Sequence, residues 1–132
     1  MRPLLWSLAA LLPASSAVAA MACPDRLARE PAAPFERLGL GGGRGTGSAL
    51  EEAWLVYGAP GEEMKPAPAT SAPDESRGTA RRFTNRWRLD ARDPMLLVCI
   101  YGSGQWLRAM LPPDATSCTQ TGEGARVTMR CE

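Results

Sequence analysis

The sequence contains no histidine. That absence excludes nucleophiles activated by a histidine base and every histidine-bearing zinc centre. No Cys-x-x-Cys pair is present either, so closely spaced thiols build neither a zinc site nor a dithiol redox motif. Lysine occurs once, at Lys65; the other basic residues are arginines, a bias that suits a GC-rich genome. An excess of one charge is lacking as well: 15 basic residues face 14 acidic ones, and without Arg2 the balance is even. Near-neutrality gives no electrostatic reason to expect nucleic acid or an anionic membrane as partner. Residues 39–48 are rich in glycine, but no Gly-Lys-Ser/Thr follows and no clear strand precedes. A phosphate-cradling loop needs both, so no cofactor is expected.

What is present begins with the first 22 residues. Arg2 is a one-charge n-region, residues 4–12 are an apolar run, Pro13 ends it, and residues 14–22 are mostly small. That order is the pattern of a secretory signal peptide. A retained anchor is the competing reading, since residues 4–22 nearly reach spanning length. Pro13, Ser15, Ser16 and the alanine-rich second half favour a leader. Two small-x-small sites exist, Ala17-Val18-Ala19 and Ala20-Met21-Ala22, the second leaving Cys23 first. The reading places the leader at residues 1–22 and one domain at 23–132, about 110 residues. Export to the bacterial periplasm or exterior puts the cysteines in an oxidising compartment.

Four cysteines remain to be assigned: Cys23, Cys99, Cys118 and Cys131. Acylation of Cys23, as in a lipoprotein, is the lesser alternative. Ala20 stands where that processing wants leucine, and lipidation leaves an odd thiol. Two disulfides use all four. Cys99 and Cys118 flank a returning strand, so the expected pairs are Cys99–Cys118 and Cys23–Cys131, with the other connectivities open.

Periodicity gives a mainly β domain, an antiparallel sheet or sandwich of about five or six strands. Residues 53–57 (Ala-Trp-Leu-Val-Tyr) read as a strand closed by Gly58-Ala59-Pro60-Gly61. Residues 82–89 alternate, with Phe83, Trp87 and Leu89 on one parity and Arg82, Arg86 and Arg88 on the other. Residues 95–101 are continuously apolar and fit a central strand covered on both faces. A glycine turn at 102–104 returns the chain through 105–111; 117–119 starts another strand and 125–131 is the last. Residues 25–38 have the polarity of a short helix limited by Pro31 and Pro34. Residues 39–48 and the proline-rich 62–78 read as loops.

Carboxylates are the only catalytic chemistry left. Glu51-Glu52 and Glu62-Glu63 are adjacent pairs, which project to opposite faces of a strand or into water from a loop. The arginines around Phe83 and Trp87 form a basic strand face, and Asp74, Glu75, Asp90 and Asp93 dilute it.

Tyr57-Gly58-Ala59-Pro60-Gly61-Glu62-Glu63, then Trp87-Arg88-Leu89, Cys99-Ile100-Tyr101 and Leu111-Pro112 ahead of Cys118 follow a Cys23-Pro24 start. In order and spacing the chain resembles a family of small exported Gram-negative bacterial proteins with no established activity. The chain departs from that pattern in its glycine-rich loop and in the alanine/proline stretch after Met64. The resemblance implies a periplasmic, disulfide-bonded domain; it points to no particular activity, because the family has none established.

The expectation is a non-enzymatic protein-binding module, inhibitor- or immunity-like or an envelope accessory, with a protein partner and no membrane span after leader removal. Its candidate contact residues are Trp54, Tyr57, Tyr101, Trp106, Arg82, Arg86 and Arg88, since interface energy concentrates in Trp, Tyr and Arg. A carboxylate-dependent cell-wall glycan hydrolase and a small-ligand module are the alternatives.

Overall fold

The computed structural model describes residues 20–38, 47–90 and 92–132. Most of the expected leader and most of the glycine-rich segment 39–48 lie outside them. The strands are β1 (Met21–Ala22), β2 (Glu36–Leu38), β3 (Leu50–Tyr57), β4 (Glu75–Gly78) and β5 (Arg82–Arg88), then β6 (Met95–Tyr101), β7 (Trp106–Met110), β8 (Ser117–Glu123) and β9 (Arg126–Cys131). A single 3-10 turn, Glu62–Met64, follows β3. The strands form two antiparallel sheets. Sheet 1 runs β1-β9-β8-β5-β4 and sheet 2 runs β2-β7-β6-β3. The mainly β architecture braced by two disulfides agrees with the sequence reading.

Each sheet follows from its residue pattern. In β5 and β9 the apolar residues alternate with arginine and threonine, so one face can be buried and the other wetted. Trp87, Met129 and Cys131 accordingly point into the space between the sheets. β6 has no polar alternation, and all seven of its residues are buried. Its inward side chains Leu97, Cys99 and Tyr101 meet Trp87, Cys118 and Met129 of sheet 1 in the main core. Its outward residues Leu96, Val98 and Ile100 join Val56 in a second apolar layer, with Trp54 and Trp106 packed against it.

Sheet 1 is closed by two tight contacts. Phe83 lies directly over Gly122, its partner in register, and a Cβ there would meet the phenyl ring at 2.1 Å. Beside it, Asn85 Nδ2 donates to Gln120 Oε1 at 3.1 Å, also across a register pair.

Four expectations need correction. No helix forms over 25–38. Arg26 instead bridges Ala49, the Leu27 amide donates to the Ser48 carbonyl, and β2 adds to β7. Pro31 and Pro34 make a helix there short, and strand partners satisfy the backbone better. The strands number nine among the described residues rather than five or six, because β1, β2 and β4 are too short to show a period. The segment 62–78 is not one loop: it holds the 3-10 turn, a bridge from Thr70 to Val56, and β4.

The disulfide pairing also differs. Cys23 bonds Cys99, and Cys118 bonds Cys131. The expected Cys99–Cys118 pair assumed that the strand after β7 stays beside β6. Instead the chain crosses from sheet 2 to sheet 1 at Pro112-Pro113, so β8 lies between β5 and β9. Cys118 then faces Cys131 directly in register. Cys23 continues the β1 pairing, its amide donating to the Met129 carbonyl at 3.0 Å, and its sulfur reaches across to sheet 2. One bridge therefore ties sheet to sheet, and the other ties neighbouring strands.

Candidate interaction surfaces

The outer face of sheet 1 is a polar lattice set by strand register. One row runs Glu75, Arg86, Thr119, Arg130 from β4 to β9. The next runs Arg77, Thr84, Thr121, Thr128, and the third Arg82, Glu123, Arg126. A row of threonines is thus flanked by rows containing arginine. Arg82 donates to Glu123 at 2.9 Å and Arg77 to Glu75 at 2.6 Å. Arg130 lies 3.2 Å from Glu132, so several cations are tethered in place. Arg86 and Arg88 are exposed and have no ion pair among the described residues. The carboxylate opposite Arg86, Glu75, is already occupied by Arg77. Six arginines against Glu75, Glu123 and Glu132 leave this face cationic although the chain as a whole is near neutral.

The outer face of sheet 2 has a different character. Trp54 of β3 and Trp106 of β7 meet edge to face, centroids 5.4 Å apart. Beside Trp106 on the same parity, Arg108 sits opposite Glu36 of β2 and donates to its carboxylate at 3.3 Å. The 3-10 turn brings Glu63 over this face, where its fully buried carboxylate pairs with Arg108. Glu63 also accepts from the Gly61 amide at 2.9 Å. Burial alone would raise the Glu63 pKa. Its own backbone N–H, the Gly61 N–H and Arg108 outweigh that, and the carboxyl titrates below the usual glutamate range. Burial likewise works against the Arg108 charge, but Glu63 and Glu36 hold its pKa above the ordinary arginine value. The pair pins the turn after β3 onto the sheet. Further along, Tyr57 is 43% exposed and its hydroxyl lies 3.3 Å from Ser71 Oγ.

The seven candidate contact residues are therefore not one patch. Arg82, Arg86 and Arg88 lie together on the outer face of sheet 1. Trp54 and Trp106 lie together on sheet 2, half-buried, with Tyr57 exposed at the end of the same strand β3. Tyr101 belongs to neither surface. It is 1% exposed in the core and donates its hydroxyl to the Pro24 carbonyl at 2.7 Å. Burial, with Asp25 adding to it, raises its pKa. A β6 residue of inward parity has no route to a partner, so Tyr101 is a core residue. The candidate set left out Arg77, Arg126 and Arg130. The alternation in β9 already put Arg126 and Arg130 on a solvent face; what was absent was the register that sets that face beside β5.

The adjacent glutamate pairs do not converge. Glu51 and Glu52 are exposed, Glu62 is held by Lys65 at 2.6 Å, and Glu63 is held by Arg108. Among the described residues, no group of three or more acidic or thiol side chains is placed to hold a metal ion. A half-open groove of about 370 Å³ lies at one end of the sandwich, lined by Leu89, Met95, Met110, Leu111 and Pro112 together with Asp90 and Asp93. No helix among the described residues is long and apolar enough to cross a membrane.

A family model described as "Type VI secretion system Tli immunity protein" matches residues 45–132, a stretch that includes β3 to β9. No curated protein and no solved structure matches the chain.

Proposed function

The chain belongs to the type VI secretion system Tli immunity protein family, and from that premise we propose that it is exported to the periplasm and there neutralises a toxin by binding it. The mode of action is occlusion by a rigid surface, with no bond made or broken. Family membership over residues 45–132 is the observation that carries this reading. Two disulfides in a compact sandwich support the oxidising compartment. The carboxylate hydrolase and small-ligand readings have no comparable support.

The contact surface we assign is the arginine–threonine face of sheet 1. Arg86 and Arg88 have charge to spare, and their neighbours are tethered by ion pairs, so little side-chain freedom is lost on docking. Arginine in a flat, ordered array suits carboxylates presented by an acidic partner surface. Trp54 and Trp106 already spend part of their area on the apolar layer of sheet 2, which makes them the weaker candidates.

The test is co-expression, in the periplasm of a sensitive Gram-negative host, with each toxin delivered by the type VI system of the parent bacterium. The wild-type chain is expected to restore growth against one of them. With that toxin in hand, the pair Arg86→Glu and Arg88→Glu should weaken binding at least tenfold, about 1.4 kcal/mol. Failure to relieve any toxin overturns the immunity reading. Relief that survives both substitutions but is lost on Trp54→Ala or Trp106→Ala moves the contact to sheet 2.

A further inference from the structure

The two small-x-small sites near the start of the chain give mature proteins that differ by three residues, and those residues are part of the fold. Met21 and Ala22 form β1, paired with Cys131 and Arg130 of β9. Met21 is 9% exposed and packs in the main core with Cys23. Cys23 is 4% exposed, and its backbone nitrogen donates to the Met129 carbonyl. Ala20, by contrast, is exposed.

From this geometry we infer that the leader is removed between Ala19 and Ala20, not after Ala22. The step is hydrolysis: water adds across the Ala19–Ala20 amide, leaving a carboxylate on Ala19 and a free amine on Ala20. The recognition segment is Ala17-Val18-Ala19. The new ammonium then lies on an exposed residue, hydrated. Cleavage after Ala22 would place that charge on the nitrogen of Cys23, a residue almost wholly buried. An ammonium is costly to bury without a charged partner. The same cut would delete the strand that covers the end of β9 and the core side chain of Met21. A leader peptidase meets the chain unfolded, so both bonds are reachable; only one product folds to the structure described.

The same atoms decide against acylation. The Cys23 sulfur is bonded to Cys99, which is fully buried in β6. A thioether to lipid would use that sulfur and strand the Cys99 thiol in the core. The processed protein is thus free of a lipid anchor and diffuses in the periplasm.

This inference rests on the export reading, and one measurement separates the two. The full chain is expressed in a Gram-negative host, and the periplasmic product is weighed intact with and without reductant. The expected product runs from Ala20 to Glu132, lighter than its reduced form by the four hydrogens of two disulfides. A periplasmic product starting at Cys23, bare or with acyl chains, overturns the inference and leaves export standing. A full-length cytoplasmic chain starting at Met1 overturns both. Two variants sharpen the assignment. Ala19→Gln is expected to stall processing, and Ala22→Gln, on the exposed side of β1, to leave the cut unchanged. The reverse pattern would place the cut after Ala22.

Discussion

Sheet 1 and sheet 2 contribute to one core but differ in what they turn outward. Sheet 1 presents arginine and threonine, with an inner face that includes the Asn85–Gln120 amide pair. Sheet 2 buries apolar side chains on both sides, its outer layer covered by two tryptophans and by a turn held through the Glu63–Arg108 ion pair. One sheet can therefore lose or gain outward charges with little effect on the fold, whereas the other carries buried side chains on both faces. In the reading proposed above, recognition belongs to the first and stability to the second.

The largest expected effect comes from cutting the link between the two sheets. Replacing Cys23 and Cys99 by serine opens a loop of 76 residues, and the chain-entropy relation puts the loss at about 4.5 kcal/mol. The Cys118 and Cys131 pair closes only 13 residues within sheet 1, worth about 3 kcal/mol. Urea midpoints of the two double variants should fall in that order. Equal losses would mean that the inter-sheet bridge has no special standing.

Next is the ion pair over sheet 2. Glu63→Ala leaves the part-buried Arg108 with only Glu36 as partner, at a cost of about 3 kcal/mol. The pair also gives sheet 2 a pH dependence. The folded Glu63 carboxyl titrates below its unfolded value, so its contribution is complete above the ordinary glutamate pKa. It is lost as pH falls through the folded value. Stability of the wild type should drop in that acid window, and Glu63→Gln should flatten the drop.

A smaller effect is expected inside sheet 1. Gly122→Ala drives a methyl into the Phe83 ring and should cost about 2 kcal/mol by overpacking. Gly122→Ala combined with Phe83→Leu should recover part of it. Smallest are Arg86→Glu and Arg88→Glu, expected to stay within about 0.5 kcal/mol in stability. Their thermal melts should match the wild type while toxin binding falls.

Legibility in the sequence followed the same division. β5 and β9 alternate cleanly and their faces could be assigned from residue parity. β6 declared itself by seven apolar residues in succession. β8 was half hidden, because its inward positions are Cys118, Gln120 and Gly122, which carry almost no apolar signal. β4 is exposed throughout and carries none. The cysteine pairing was nevertheless within reach. Gly124, with φ of 61°, forms a two-residue hairpin turn with Ala125. Cys118 and Cys131 stand equidistant from that turn, so the hairpin itself brings them face to face. The candidate site was legible residue by residue but not as a surface, since Arg77, Arg86 and Arg130 become neighbours only through strand order. Tyr101 misled because its type suits an interface while its parity sends it inward.

The bridges also decide how the molecule would respond to being pulled by its ends. In the form that begins at Ala20, as inferred above, the covalent path enters at Cys23, jumps through sulfur to Cys99, follows the backbone to Cys118, and jumps again to Cys131. Everything between residues 23 and 99 is a side loop that bears no tension. An oxidised molecule held at both termini can lengthen to roughly 90 Å, against nearly 400 Å once reduced. A machine that degrades proteins by threading them would therefore meet a sulfur bridge three residues in from Ala20, or one residue in from Glu132, and would have to pull two strands at once unless a reductant opened it.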